Sequence, residues 1–86
     1  MGKRVGAYIR ELRAHQSISI RGLGGQTGLS PSYLSLVERG RRETSISTLC
    51  PIVQALEGDF RHALRLLALD AGVPEEVLDG DHTIER

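Results

Sequence analysis

One stretch of this sequence decides the fold: residues 28–40, Gly28-Leu29-Ser30-Pro31-Ser32-Tyr33-Leu34-Ser35-Leu36-Val37-Glu38-Arg39-Gly40. Ser30 is a good N-cap, and Pro31 suits the first helical position, where a missing backbone N–H costs nothing. Gly28 turns the chain ahead of the helix with a positive φ, and Gly40 is a natural stop after it. The stretch therefore predicts one short helix over about residues 31–39.

The two faces of this helix differ in polarity. Leu34 and Val37 share one face with Leu29 nearby, and this face is apolar. The opposite face carries mostly polar side chains, at Ser32, Tyr33, Ser35, Leu36 and Arg39. Small polar residues in the first turn and arginines at the exit suit a helix that lies in a DNA major groove. An ordinary amphipathic helix explains these residues equally well when they are taken alone.

The flanking sequence distinguishes the two interpretations. The motifs run in the order RELR at 10–13, Ser19 with Leu23 and Gly28, SPSYLS at 30–35, VERGRR at 37–42, SISTL at 45–49, and Ala55-Leu56. This series resembles the Cro and phage-repressor (Xre-like) helix-turn-helix family over about residues 5–60. The resemblance implies an all-α fold, a compact five-helix DNA-binding domain whose third helix contacts bases. A short sixth helix would follow at the C-terminus.

Apolar spacing places the other helices of a single domain over residues 1–86. The first helix starts at Arg4 and ends near His15, and Ser19 caps the second. Asp59 can cap a fifth helix that runs to about Ala71, and Gly72 stops it. We expect a helix-turn-helix core over about 4–57 and a helical extension over about 59–79.

Pro51 leaves two starts open for the fourth helix. If Ser45 is the N-cap, Pro51 lies in the second turn and removes a helix hydrogen bond; a start nearer Thr48 puts it in the tolerant first turn. We favour the late or distorted start. The helix should bury Ile46, Leu49, Ile52, Val53 and Leu56, with Cys50 as a small core residue.

Four glycines fall within the second helix and its turn, at Gly22, Gly24, Gly25 and Gly28. Gly28 forms the turn, and close packing against the third helix explains Gly24. The sequence gives no role for Gly22 or Gly25. The cluster is not a phosphate-binding loop, because no G-K-[ST] follows it and no strand precedes it.

The charge is strongly divided along the chain, although the formal net charge is zero. Residues 1–42 carry eight basic and two acidic residues, a net +6, whereas residues 43–86 carry three basic and nine acidic residues, a net −6. Such asymmetry suggests a polyanionic partner for the first half. A solvated surface with segregated charge is the simpler alternative.

The resemblance also implies roles for single residues. Base edges would be contacted from the first turns of the third helix, by Pro31, Ser32, Tyr33 and Leu36. DNA phosphates would be contacted by Arg39, Arg41 and Arg42, with Arg21 and Ser35 as weaker candidates. Two positions depart from the family pattern, since Leu36 and Ile20 stand where many members carry polar side chains. Arg13 and Glu38 match a structural ion pair between the first and third helices.

The sequence offers no chemistry for an enzyme. His15, His62 and His82 show no ligand spacing, and no nucleophile has an evident base, so we expect no catalysis, metal or cofactor. One cysteine excludes an internal disulfide and suits a cytoplasmic protein. No apolar run reaches membrane-spanning length, so no membrane association is expected.

Two functions remain open at this point. The first is a sequence-specific DNA-binding regulator, a repressor that acts as a homodimer on double-stranded DNA. The second is a protein-interaction module on the same fold, such as an antitoxin or accessory factor, which Leu36, Ile20 and the leucine-rich fifth helix favour. In either case the leucines of the fifth helix exceed what a small core needs and predict a dimer through Leu64, Leu66, Leu67 and Leu69.

Overall fold

The computed structural model describes residues 2–79 and contains six α-helices and no strand in that range. The helices are α1 Lys3–His15, α2 Ile20–Thr27, α3 Pro31–Glu38, α4 Ile46–Ala55, α5 Phe60–Asp70 and α6 Glu75–Asp79. The all-α architecture of five helices and a short sixth is therefore confirmed. The longest helix has 13 residues, and none of the helices in this range has the length and apolar character needed to cross a bilayer.

Side-chain caps fix the starts of four helices. Ser19, Ser30 and Ser45 each accept a hydrogen bond from the backbone N–H three residues on, and Asp59 accepts two at the start of α5. Each cap satisfies an amide that a helix start would otherwise leave without a partner. The caps at Ser19, Ser30 and Asp59 stand where the sequence placed them.

The fourth helix starts earlier than we favoured. Ser45 is its N-cap, and its hydroxyl accepts from the Thr48 N–H at 3.2 Å. Pro51 therefore lies inside the helix, in the second turn, and the preference for a start near Thr48 was wrong. The cap satisfies an amide at the start of α4, whereas Pro51 removes only one helix hydrogen bond.

A single aliphatic core joins the first five helices. It consists of Val5, Ile9, Leu23, Leu34, Val37, Leu49, Ile52, Val53, Leu56 and Ala63. The expected inward positions of α4 are buried except for Ile46, which is 57% exposed, and Cys50 is exposed as well. Both expectations failed because the helix starts at Ile46, so its first residue lies at the rim, and because Cys50 lies on the solvent side.

The start of α1 is held by the end of α5. Gly2 is the N-cap of α1 and has no side chain to offer, so the Asp70 carboxylate accepts hydrogen bonds from the Arg4 and Val5 amides at 3.2 and 3.0 Å. The same carboxylate pairs with the Arg4 guanidinium and is only 6% exposed. A residue 65 positions away along the chain thus supplies the missing cap.

Further along α1, a second set of contacts joins it to α4 and α5. The Asp59 N–H donates to the Tyr8 hydroxyl at 2.9 Å, and the Tyr8 ring packs edge-on against His62. The Gln16 side-chain amide donates to the Leu56 carbonyl. The expected extension over about 59–79 therefore shares contacts and core with the helix-turn-helix part.

Candidate nucleic-acid interface

The helix α3 carries most of the predicted contact residues, and both of its ends are fixed by its own sequence. The Ser30 hydroxyl accepts from the Tyr33 N–H at 3.1 Å, and Pro31 occupies the first turn. At the other end, Gly40 has φ 71° and donates to Val37 O at 3.0 Å, while Arg41 N–H reaches Leu36 O at 2.9 Å. These two bonds form a Schellman motif, which sets the direction in which the following loop leaves the helix.

Two glycines allow close approach to α3 from two sides. A Cβ at Gly6 would overlap the backbone carbonyl of Val37 and lie 2.8 Å from that of Glu38, so α1 can cross the end of α3 only with glycine there. A Cβ at Gly24 would lie 2.7 Å from Leu29 O and 3.5 Å from the Pro31 ring, which agrees with the close packing expected for Gly24. The orientation of α3 therefore depends on both contacts.

Gly22 and Gly25, for which the sequence offered no role, have different surroundings. A Cβ at Gly22 would lie 3.2 Å from the hydroxyl of Ser19, which caps the same helix. A Cβ at Gly25 would meet nothing within 4 Å, and Gly25 is exposed. Nothing in the structure explains Gly25.

Arg13 and Glu38 form the ion pair that the resemblance implied. Arg13 Nε and Nη2 donate to the two Glu38 carboxylate oxygens at 2.7 and 3.0 Å, and Nη1 donates to Ile18 O at 3.0 Å. The Glu38 side chain is 4% exposed and that of Arg13 20%. The hydrogen bonds with Glu38 raise the pKa of the Arg13 guanidinium, opposed in part by desolvation, so the guanidinium stays charged. It joins α1, the following loop and α3.

The structure leaves the predicted base-contacting residues accessible on one helix. Pro31 and Ser32 are exposed, whereas Tyr33 and Leu36 are half-buried. The Tyr33 hydroxyl has no hydrogen-bond partner within residues 2–79. Ile20, the other departure from the family pattern, packs against the core, which explains an apolar residue at that position.

The predicted phosphate contacts divide into two groups. Arg39, Arg41 and Arg42 are exposed and follow α3 directly, and Ser35 is half-buried on the helix itself. Arg21 is exposed in the first turn of α2, away from this group along the chain. None of the four arginines makes an ion pair within the part of the chain that is described.

The arginines after α3 are held differently from one another. Arg39 Nε lies 3.4 Å from Ser35 O of the same helix. The Arg42 guanidinium lies over the Tyr33 ring, with its carbon 5.4 Å from the ring centroid, a cation–π contact. This contact was not predicted, because an aromatic residue on α3 and an arginine in the following loop were its only signals in the sequence.

Outside this face, the acidic second half contributes a link between α5 and α6. The Arg65 guanidinium donates to Glu75 at 3.2 Å and to Asp79 at 2.8 Å. The hydrogen bond from Arg65 lowers the pKa of Asp79. Among residues 2–79, no group of His, Cys, Asp or Glu side chains is arranged to hold a metal ion.

Comparison with known proteins agrees with this geometry. A family model described as a helix-turn-helix domain matches residues 4–77. An HTH-type transcriptional regulator of Mycobacterium tuberculosis, Rv0474, is 39% identical over 70 residues, which are 81% of this chain and 47% of that protein. The chain thus spans about half the length of that relative. The HTH-type transcriptional regulator y4dJ of Sinorhizobium fredii is 38% identical over 65% of this chain and 73% of its own length.

Two crystal structures have similar folds. The restriction-modification controller protein C.AhdI from Aeromonas hydrophila superposes with a TM-score of 0.68 at 32% identity, over 72% of this chain and 94% of that chain. The clp gene regulator ClgR from Corynebacterium glutamicum superposes with a TM-score of 0.70 at 33% identity, over 91% of this chain and 85% of that chain.

Proposed function

Because the chain belongs to the helix-turn-helix domain family of transcriptional regulators, we propose that it binds double-stranded DNA sequence-specifically, with α3 in the major groove. One observation carries the proposal. The first turn of α3 is accessible, three exposed arginines follow it, and the helix is held by α1 through Gly6 and the Arg13–Glu38 pair and by α2 through Gly24. A rigid helix with accessible polar groups and flanking cations is what major-groove recognition requires.

Base contacts come from the first two turns of α3. Ser32 is exposed and its hydroxyl can donate to or accept from a base edge, and the unpaired Tyr33 hydroxyl can do the same or bond a phosphate. Leu36 offers apolar contact only, which suits a thymine methyl group. Pro31, in the first turn of the helix, has no backbone N–H to donate, so it can make only apolar contact.

Phosphate contacts come from the helix exit. Arg39, Arg41 and Arg42 lie after α3 in the chain, and Ser35 and Arg21 add positions on α3 and α2. Such contacts position the protein on the duplex and carry little sequence information. The acidic second half limits nonspecific binding to other polyanions.

We propose a homodimer through α5. Leu64, Leu66, Leu67 and Leu69 are all half-buried, and Leu66 and Leu67 pack partly against the core, so the accessible patch is smaller than the sequence indicated. A groove of about 650 Å³ extends the patch: Leu67 and Ala71 line it together with Ile46. A twofold dimer would bring this face against itself and place two α3 helices on half-sites ~34 Å apart.

Sedimentation tests the dimer. Leu64→Glu alters a leucine outside the core cluster and should yield a monomer, whereas Val77→Glu, on α6 and 49% exposed, should leave a dimer. A wild-type monomer at high micromolar concentration would contradict the proposal.

The proposal also places the protein in the cytoplasm as a repressor, with no enzymatic activity, cofactor or membrane partner. The resemblance to phage repressors is what supports repression over activation. A reporter promoter that carries the selected site should be less active when the protein is expressed, and a rise in activity would reverse that assignment.

Selection of a site from random DNA, followed by fluorescence anisotropy on the selected and a scrambled duplex across a salt series, tests DNA binding. Affinity should fall steeply with salt, and Arg41→Ala should lower the salt slope by about 0.9 on both duplexes. Ser32→Ala should instead narrow the difference between the two duplexes. Leu36→Ala should cost ~1 kcal/mol at a thymine.

The protein-interaction module is the competing function. Leu36 is the observation that favours it, since a half-buried leucine faces the predicted DNA side; Ile20 no longer supports it because it packs on the core. Wild-type protein that shows no site preference at low salt, or arginine variants with an unchanged salt slope, would favour this alternative.

A further inference from the structure

Tyr33 and Arg42 contact each other on the surface that carries the predicted base and phosphate contacts. Tyr33 lies in the first turn of α3, Arg42 lies in the loop after that helix, and the guanidinium carbon is 5.4 Å from the ring centroid. That distance is inside the ~6 Å range of a cation–π contact. The contact therefore brings a cation from the helix exit to the end of α3 at which base contacts are expected.

The backbone holds both partners in place. Tyr33 is half-buried, packs against the core, and its N–H donates to the Ser30 cap. The loop that carries Arg42 leaves α3 through the Schellman motif at Gly40. The Tyr33 ring is thus held by the core, and the exposed side chain of Arg42 brings its guanidinium against that ring.

Stacking leaves the binding groups of the guanidinium available. Arginine has five N–H donors in the plane of the guanidinium, and contact through one face leaves the edges of that plane open to acceptors. A long side chain loses rotamer freedom when it binds a phosphate, and a guanidinium that is already held loses less. Arg41 offers a comparison, because it is exposed and has no side-chain contact of this kind within residues 2–79.

We propose that Tyr33 and Arg42 bind DNA as one unit, in which the tyrosine ring positions the guanidinium for a phosphate beside the first turn of α3. Tyr33 is then a positioning residue as well as a contact residue. The inference rests on the proposed function. It has a distinctive consequence: removal of an uncharged ring should reduce the salt dependence of binding, since it loosens a phosphate contact made by another residue.

The test is a double-mutant cycle in DNA affinity, measured by anisotropy on the selected duplex between about 50 and about 200 mM salt. Tyr33→Leu and Arg42→Ala should each weaken DNA binding. If the two residues act together, the double variant should bind more tightly, by about threefold or more, than the product of the two separate losses in affinity predicts. Tyr33→Leu should lower the salt slope by up to about 0.9, whereas Tyr33→Phe should keep the wild-type slope.

Arg41→Ala is the matched control. In the double variant with Tyr33→Leu, the loss of DNA affinity should equal the product of the two separate losses, because Arg41 does not contact the ring. Equal coupling of Tyr33 to Arg41 and to Arg42 would overturn the proposal, as would independent losses in the Tyr33–Arg42 cycle while wild-type binding stays salt-dependent. Wild-type protein without salt-dependent binding would overturn both this proposal and the proposed function.

An NMR measurement on the wild type keeps the test independent of variant folding. The Arg42 side-chain protons should show an upfield ring-current shift that Tyr33→Phe retains. Unshifted Arg42 protons in the free protein would also overturn the proposal.

Discussion

The ion pair between Arg13 and Glu38 leads to an asymmetric prediction about stability. The Glu38 side chain is 4% exposed in the intact pair, so Arg13→Ala leaves its carboxylate in a buried site without the two hydrogen bonds from Arg13. The substitution also removes the donor to Ile18 O. Glu38→Ala leaves a guanidinium that is 20% exposed and can still bond that carbonyl or turn toward water. Loss of one partner of a buried pair costs ~3–5 kcal/mol. We expect Arg13→Ala at the upper end of that range and Glu38→Ala at or below the lower end.

The double variant should lose little more than Arg13→Ala alone, which gives a coupling of ~2–3 kcal/mol. The total stability of a domain of this size is only ~5–10 kcal/mol, so Arg13→Ala should lower Tm by tens of degrees or unfold the protein. Glu38→Gln keeps the shape of the side chain and one acceptor and should be milder than Glu38→Ala.

Urea denaturation followed by circular dichroism measures these losses. Arg10→Ala is the control, because Arg10 is exposed on the same helix and makes no ion pair within residues 2–79; it should change stability by less than ~0.5 kcal/mol. Additive losses would show that the pair contributes no coupling. A larger loss for Glu38→Ala than for Arg13→Ala would refute the argument from exposure.

Three further predictions concern other contacts. Gly25→Ala should stabilise the protein by ~0.5–1 kcal/mol in thermal unfolding, since a Cβ at that position meets nothing within 4 Å. Gly6→Ala should destabilise it strongly, because the Cβ would overlap backbone carbonyls of α3. The reverse order of stabilities would contradict the packing. Asp70→Ala should cost ~1–2 kcal/mol and speed amide exchange at Arg4 and Val5, and unchanged exchange would show that the carboxylate is not their cap. The lowered pKa of Asp79 means that its pairing with Arg65 is present above the ordinary carboxyl pKa of 3.8 and is lost as pH falls through the lower folded-state pKa. The NMR signals of the Asp79 side chain should therefore change below pH 3.8, and Arg65→Ala should move that change back toward the ordinary pKa.

The sequence predicted α3 and its neighbouring helices from local signals. Each capping or turn residue lies within a few residues of the helix end that it determines. A serine just before the start of a predicted helix predicts an N-cap, because its hydroxyl can accept from the backbone N–H three residues on. The caps predicted at Ser19 and Ser30 are present. The Arg13–Glu38 pair spans 25 residues and came from the family resemblance, which carries distant information that local spacing does not.

The contacts that were missed join residues far apart in the chain. Asp70 caps a helix 65 residues earlier, and no local pattern reports that distance. One signal was present: an acidic residue at the end of α5 opposes the helix dipole and needs a partner elsewhere. Gly6 gave a similar signal, since glycine inside a predicted helix suggests close backbone approach. The site residues themselves stay predictions, because accessibility shows what DNA can reach and not what it contacts.

The bond from Asp70 to the start of α1 has a consequence for the order in which the domain is made. During synthesis α1 leaves the ribosome before α5, yet the amides of Arg4 and Val5 find their acceptor only after residue 70 has emerged. The start of α1 therefore cannot reach its final state until α5 has been made, so folding of the domain is expected to be cooperative rather than progressive along the chain. A fragment that stops before α5 would keep all of α3 and still lack the Asp70 carboxylate that caps α1.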